Sequence, residues 1–388
     1  MKHEQLRHLR NLRLLLSQDK TPIALFMAAG CPQSVKDGSG KPILPDMAGL
    51  IKKINEKHEA DAPDALFPRL NSELASAGVN SSNLEDILSF VRSMKAVANG
   101  GSVRGFSKDE LSSIECEICQ TISDSISGDL PDGENSYRQL ARWVCSIDRT
   151  VPIEIFTTNY DLLIEQAFEE KGIPYFDGFS GSRYPFFDIH SVEENDMPSY
   201  WARLWKLHGS INWKYEGDAV CRLSKGVGGS PELIYPSRLK YDQSRKMPFL
   251  AMSDRLTHYL LKDHATLIIC GYSFNDEHIN DTIIHSLKVN PSANAIALMY
   301  GASKNDKGDY CHDMAIRIAK ERPNLSLWYD DIALIATQER EWTEFKDEKD
   351  EFKDFSFKMV NNCVSLGDFA LFASFLNHLI GDESNSEK

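Results

Sequence analysis

No apolar run in this chain approaches the ~20 residues that a membrane-spanning helix needs, which excludes a helical membrane protein. Positive charge is also in short supply. Forty-three Lys and Arg face 57 Asp and Glu, for a formal net charge of −14. Phosphate backbones are held by clustered cations. Nonspecific nucleic-acid binding by the whole surface is therefore excluded, whereas a local basic patch, or an anion held by backbone amides, is not. Cysteine is present but unorganised. Cys31, Cys116, Cys119, Cys145, Cys221, Cys270, Cys311 and Cys363 are scattered over 388 residues. That is no disulfide framework, and it reads as a reduced protein of the cytoplasm. The basic N-terminus "MKHEQLRHLRNLRLLLSQD" lacks both a long apolar stretch and a small-residue cleavage site. It reads as an amphipathic helix rather than a signal peptide. Glu4 and Asp19 count against a mitochondrial transit peptide.

What is present is an α/β pattern with an interruption. The length suits one large domain or two smaller ones. "TPIALFMAAGCP", residues 21–32, is an apolar run closing in small residues, which reads as a strand and a tight turn. From about Pro45 to Asp148 apolar residues recur at three and four, the helical period. They do so in "MAGLIKKINEKH", "LEDILSFVRSMKAVAN", "SKDELSSIECEICQTISDSI" and "SYRQLARWVCSI". Ser107 and Glu110 have the spacing of a capping box. The α/β pattern returns with "PIEIFTTNYD", a strand and turn, "ARLWKLHGSINW", a short strand ending at a His-Gly pair, and "ATLIICGYSFND", a strand ending in Gly-Tyr-Ser; "ANAIALMYG" and "LSLWYDDIALIA" are two more strands, each taken as one, with helices at "LLIEQAF" and "MAIRIAKER". Strands that end in small or polar residues predict a mostly parallel sheet with its site at the strand C-termini. The expected fold is α/β, a Rossmann-like, mostly parallel sheet with a large helical insertion. Its expected divisions are an N-terminal helix and first strand (1–44), the insertion (45–148), the rest of the sheet domain (149–338), and a charged helical segment with a disordered tail (339–388).

Four polar clusters stand where strands run out. In "MAAGCP", Ala28, Ala29 and Gly30 are small enough for a pyrophosphate to approach the backbone, and a following helix N-terminus would hold negative charge. The same residues also suit plain packing. In "TTNYD", Asn159 is uncharged at any relevant pH, so it cannot be a general base. It can orient a water or a ribose hydroxyl. Thr158, Asn159 and Asp161 can equally be helix caps, and for Asp161 capping is the preferred reading. In "KLHGSINW", His208 can act as a base near neutral pH, or be a structural histidine beside a permissive glycine. In "CGYSFNDEH", Gly271 and Ser273 can donate to phosphate or ribose oxygens, while Asn275 or Asp276 starts the next helix.

The small-residue turn, Thr-x-Asn, Leu-His-Gly and Gly-x-Ser follow one another in the order of the sirtuin signature. The chain resembles the sirtuin-like domains of bacterial defence proteins, in which "TTNYD", "LHGS" and "GYSFND" recur in nearly this form. The resemblance runs from about Thr21 to Ala336, with 45–148 as an insertion. It implies NAD bound as substrate in the cleft of the sheet. Ala28, Ala29 and Gly30 would then sit against the pyrophosphate and Thr158 and Asn159 by the nicotinamide ribose. His208 would act on a ribose hydroxyl, and Gly271 and Ser273 would line the adenosine side. Asp161 and Asn275 count as further binding positions on the same resemblance. Two departures stand out: Ala28 replaces the first glycine of the family's turn, and Pro32 replaces its serine. Each implies weaker phosphate binding, or binding that depends on assembly.

Sirtuins that deacylate proteins carry a zinc ribbon of two Cys-x-x-Cys pairs between the His-Gly and Gly-x-Ser motifs. Between His208 and Gly271 this chain has Cys221 and, directly before Gly271, Cys270, so a four-thiolate site cannot be built there. Cys116 and Cys119 form the one Cys-x-x-Cys and lie in a helical pattern. No metal is expected. Loss of the ribbon removes one wall of an acyl-lysine groove and favours water as the acceptor. The resemblance thus implies an NAD+ hydrolase releasing nicotinamide and ADP-ribose in antiphage defence. Such an activity must be held off until needed, which implies a homo-oligomer or a partner, by analogy a HerA-type ATPase. A zinc-free deacylase, or a sensor or scaffold that binds NAD or ADP-ribose without cleavage, are the alternatives.

Overall fold

The computed structural model describes residues 2–59, 61–82, 84–216, 219–224, 247–343 and 363–380. Its centre is a nine-stranded sheet. From one edge to the other the strands are Gln338–Glu341, Ile332–Ile335, Leu325–Trp328, Asn294–Leu298, Thr266–Cys270, Ile23–Met27, Glu154–Thr157, Ala202–Lys206 and Tyr175–Phe176. The seven from Leu325–Trp328 to Tyr175–Phe176 are parallel. Every residue of Ile23–Met27, Glu154–Thr157, Ala202–Lys206 and Thr266–Cys270 is buried. This explains the near-continuous apolar sequences of Ile23–Met27 and Thr266–Cys270, because a parallel sheet is covered on both faces.

Alternate residues feed two cores. Ile23, Leu25 and Met27 join the core under helices Gln5–Leu16, Ser136–Ser146, Leu163–Lys171 and Phe369–His378. Ala24 and Phe26 join the core under helices Phe249–Leu260, Glu277–Val289 and Asp313–Glu321. Leu6, Leu9, Leu12 and Leu16 give the N-terminal helix its single buried stripe. Burying each leucine contributes about 1.5–3 kcal/mol. Among the described residues no helix is long and apolar enough to cross a membrane.

The insertion is helical, through Met47–Lys57, Leu66–Ser76, Leu84–Val97 and Lys108–Ile126, with one short hairpin at Ser102–Val103 and Phe106–Ser107. These four helices close on a third core that includes Leu70, Leu88, Leu111 and Ile118. Ser107 and Glu110 form the capping box: Glu110 N donates to Ser107 Oγ at 3.2 Å and Ser107 N to Glu110 Oε2 at 2.8 Å. The helix Ser136–Ser146 behaves differently. Its Tyr137, Leu140 and Trp143 enter the sheet's core, beside Phe369 and Phe372. The module with its own core therefore ends near Ile126, short of residue 148.

Two expectations for the C-terminal part are corrected. "LSLWYDDIALIA" is two strands, Leu325–Trp328 and Ile332–Ile335, paired antiparallel. The sheet then continues into Gln338–Glu341, at the start of the segment expected to be helical. The connecting turn holds Ala336 and Thr337 at φ values of 48° and 65°. Positive φ at both central residues is the mark of a type I′ hairpin turn. Asn or Gly normally signals it, so Ala-Thr concealed it. The remainder of the charged segment (344–362) and the tail "GDESNSEK" lie outside the described residues.

Candidate functional site

Ile23–Met27 lies at the middle of the sheet. The chain builds outward from it on one side, through Glu154–Thr157 to Ala202–Lys206 and Tyr175–Phe176. It then returns to the other side at Thr266–Cys270. The boundary between Ile23–Met27 and Thr266–Cys270 is thus a topological switch point, where crevices open at the C-terminal ends of parallel strands. All four polar clusters emerge on that end of the sheet.

At the switch point two backbones meet with no side chain between them. Ala28 N donates to Cys270 O at 3.0 Å and Gly30 N to Gly271 O at 3.0 Å. A Cβ on Gly30 would lie 2.7 Å from Gly271 Cα, and one on Gly271 would lie 2.6 Å from Cys31 N. Gly271 also has a φ of +66°, where a side chain is strained. Ala28 is buried with a negative φ, so alanine meets the demand at that position. Ala29 and Gly30 are exposed, leaving this bare backbone open to a ligand. Pro32 begins a single 3₁₀ turn, Pro32–Ser34, at a position where a missing N–H costs little. The helix N-terminus expected beyond this turn is therefore one 3₁₀ turn only. Ser34, nearby, is occupied with Cys31 O at 2.7 Å and Ser136 Oγ at 2.7 Å.

The second cluster is tied to the first through hydrogen bonds that cross the chain. Asn159 Nδ2 donates to Ala28 O at 3.1 Å. Asn159 N donates to Thr157 Oγ1 at 3.0 Å, and Thr157 Oγ1 donates to Met27 O at 2.7 Å. Thr157, passed over in the sequence, thus anchors the turn, and Thr158 sits half-buried beside it. The uninterrupted burial of the strand was the signal for Thr157, since a hydroxyl there needs a backbone acceptor.

Asp161 is buried and faces inward. Its Oδ1 accepts from Leu163 N at 3.2 Å, at the entry to helix Leu163–Lys171. Burial pushes its carboxyl up to about 6, against the pull of Lys206. Lys206, itself buried, donates to Asp161 O and, at 2.7 Å, to Glu165 Oε1. The folded value lies above the ordinary aspartate value of about 3.9. The native state therefore holds a proton that the unfolded chain has lost, and stability falls as pH rises through the window from about 4 to about 6. Asp161→Asn is expected to remove this contribution. Urea midpoints of the variant, measured across that window, should fall less steeply with pH than those of the parent. An unchanged slope would assign the proton elsewhere.

The third and fourth clusters also meet. His208 Nε2 lies 3.3 Å from Asp276 Oδ2. The other carboxylate oxygen of Asp276 caps helix Glu277–Val289, accepting from His278 N at 3.1 Å and Ile279 N at 3.2 Å. One aspartate thus starts a helix and holds the histidine, a pairing that sequence spacing does not reveal. A carboxylate at Nε2 selects the tautomer with its proton there, leaving Nδ1 as acceptor in the neutral ring. The loop between is held by Tyr272, whose single hydroxyl proton faces two acceptors, Asn280 Oδ1 at 2.8 Å and Asp276 O at 3.1 Å. Asn280 Nδ2 donates to Phe274 O at 2.8 Å. Ser273 and Asn275 are exposed on this loop.

Two clefts lie apart from this cluster. One of 660 Å³ includes Ser34, Asp37, Asn135 and Leu371 in its lining. One of 360 Å³ includes Tyr175, Asp177, Trp201 and Arg222. Neither is lined by Asn159, His208 or Gly271. The turns that carry Asn159, His208 and Gly271 are instead drawn together by hydrogen bonds and backbone contact at the strand ends. Among the described residues no group of three or more His, Cys, Asp or Glu is arranged to hold a metal ion.

Residues 153–319 match the family model of the SIR2-like domain. That segment contains Asn159, His208, Gly271 and Asp276, but not the Ala28–Gly30 turn. A solved structure from work on the mechanism and regulation of Sir2 enzymes aligns over 74% of this chain and 84% of its own, at 12% identity and a TM-score of 0.34. No curated protein matches the chain.

Proposed function

We propose that this protein is an NAD+ hydrolase that cleaves the nicotinamide–ribose bond to give nicotinamide and ADP-ribose. One observation carries the reading: the bare Gly30–Gly271 backbone pair and the turns bearing Asn159 and His208 meet at a single switch point. The SIR2-like match over residues 153–319 supports it. The exposed Ala29–Gly30 turn beside this pair is the backbone a pyrophosphate could approach, with the Gly30 amide itself held by Gly271 O. Ala29 and Gly30 would hold the phosphates, with Ser273 and Asn275 on the adenosine side and Thr158 and Asn159 at the nicotinamide ribose.

The leaving group is already a cationic pyridinium, so breaking the bond returns its electron pair to nitrogen without an acid. Positive charge then develops on the ribose. A water oxygen takes the vacated carbon and loses one proton. Asn159, uncharged and fixed to Ala28 O through Nδ2, can direct its amide oxygen at that water. His208, oriented by Asp276, polarises a ribose hydroxyl or accepts the proton. On the resemblance to defence proteins, NAD depletion would serve antiphage defence under control of a homo-oligomer or a HerA-type ATPase. A second reading, binding of NAD or ADP-ribose without cleavage, is favoured by the single 3₁₀ turn after Gly30, which offers phosphates fewer amides than a full helix.

The purified protein, incubated with NAD, is expected to release nicotinamide and ADP-ribose in equal amounts, followed by chromatography, with no response to an acetylated peptide. Consumption of the peptide would make it a deacylase. Binding of ADP-ribose with no release, alone or with a neighbouring gene's product, would leave the binding reading.

A further inference from the structure

We infer that Tyr160, Leu162 and Ile211 are positioning residues through which the helical module sets the geometry of Asn159 and His208. The inference rests on the hydrolase reading for its kinetic consequence, though not for its structural one. Ile211 comes from the turn just after His208, yet it is 2% exposed within the core of the module rather than in either core of the sheet. Tyr160 and Leu162, from the turn of Asn159, pack against that same core. The two turns are also joined to each other. The carbonyl of Tyr160 accepts from Ile211 N at 3.0 Å and from Ser210 Oγ at 3.4 Å. The Tyr160 ring lies 6.5 Å from that of His208, tilted by 32°.

The consequence is mechanical. Close-packed interiors transmit small displacements instead of absorbing them. Asn159 and His208 each sit within three residues of a side chain seated in the module. A change in how helices Met47–Lys57 to Lys108–Ile126 pack therefore moves both turns together. A binder on the outside of the module would thereby have a route to the site without touching it. The module thus acts as a regulatory handle as well as a decoration of the sheet.

The test is Ile211→Ala in the full chain, assayed well below its melting temperature so that equal folded fractions are compared. We expect kcat for NAD cleavage to fall about 10–100-fold, as for a misplacement of order 1 Å. KM should stay within about twofold, and Ile211→Val should restore most of the rate, since it removes one methyl group. The imidazole resonances of His208, identified by their loss in His208→Gln, should shift in Ile211→Ala and return towards the parent in Ile211→Val. Unchanged kcat together with unchanged His208 resonances would overturn the inference. If the parent cleaves no NAD, the hydrolase reading falls and the resonances alone decide the coupling. Should Ile211→Ala fail to fold, Ile211→Val and Leu162→Ala carry the same comparison with smaller shifts.

Discussion

His208→Ala is expected to lower kcat for NAD cleavage by about 10²–10⁴-fold, the usual contribution of a positioned acid–base group. Asn159→Ala should cost about 10²-fold or more, because in the proposed reaction its amide would position a water and carry no proton. The two losses should differ in kind. Removing His208 also takes away the ring that Asp276 Oδ2 faces at 3.3 Å. Asp276 keeps its capping bonds to His278 N and Ile279 N, so helix Glu277–Val289 should survive. Removing Asn159 takes away the donor at 3.1 Å from Ala28 O and loosens the joint between the first and second turns. A variant carrying both changes separates the roles. Residues acting as one unit are strongly non-additive, so the pair should lose little more than His208→Ala alone. Rates that multiply would mean independent action. Release of nicotinamide measured for the parent, each single variant and the pair decides this. Circular dichroism confirms that each is folded. Retention of the parental rate in either single variant would remove that residue from the catalytic assignment.

Gly271→Ala should be the most damaging single methyl group that can be added at the site. Its φ of +66° costs about 1–2 kcal/mol for any side chain. The new Cβ would also lie 2.6 Å from Cys31 N, where only backbone can give way. Overpacking of that kind adds about 1–3 kcal/mol. Gly30→Ala lacks the dihedral strain, but its Cβ would fall 2.7 Å from Gly271 Cα. Either change pushes Ile23–Met27 and Thr266–Cys270 apart at their C-terminal ends, where the crevice forms. We expect a lower urea midpoint for both, larger for Gly271→Ala, and loss of NAD or ADP-ribose binding by calorimetry even where the protein still folds. Gly172→Ala makes a useful comparison. It has the same φ, +66°, but an added Cβ there meets nothing within 4 Å. Equal effects at Gly172 and Gly271 would assign the damage to the dihedral rather than to the backbone contact.

Much of this protein is written locally. The strands at Ile23–Met27, Glu154–Thr157, Ala202–Lys206 and Thr266–Cys270 are short apolar runs closed by small or polar residues, and each lies where its pattern placed it. The Ser107–Glu110 capping box is likewise a matter of spacing along one helix. Those signals survive because they depend only on neighbours in the chain. Where the local signal was weak, reading failed: Ala336–Thr337 makes a hairpin turn without the residues that usually announce one.

By itself, then, the sequence determined which residue types stand at the ends of which strands. Tertiary structure alone decided their partners. Asn159 reaches Ala28 across 131 residues, Gly30 meets Gly271 backbone to backbone, and Asp276 serves a histidine while capping a helix. Tertiary structure also assigned Ser136–Ser146 to the sheet and Ile211 to the helical module. The physical reason is common to all of these. Periodicity reports which face of an element must be buried, but what covers that face depends on how the chain returns to it. The return is set by the packing of the whole sheet and its two layers.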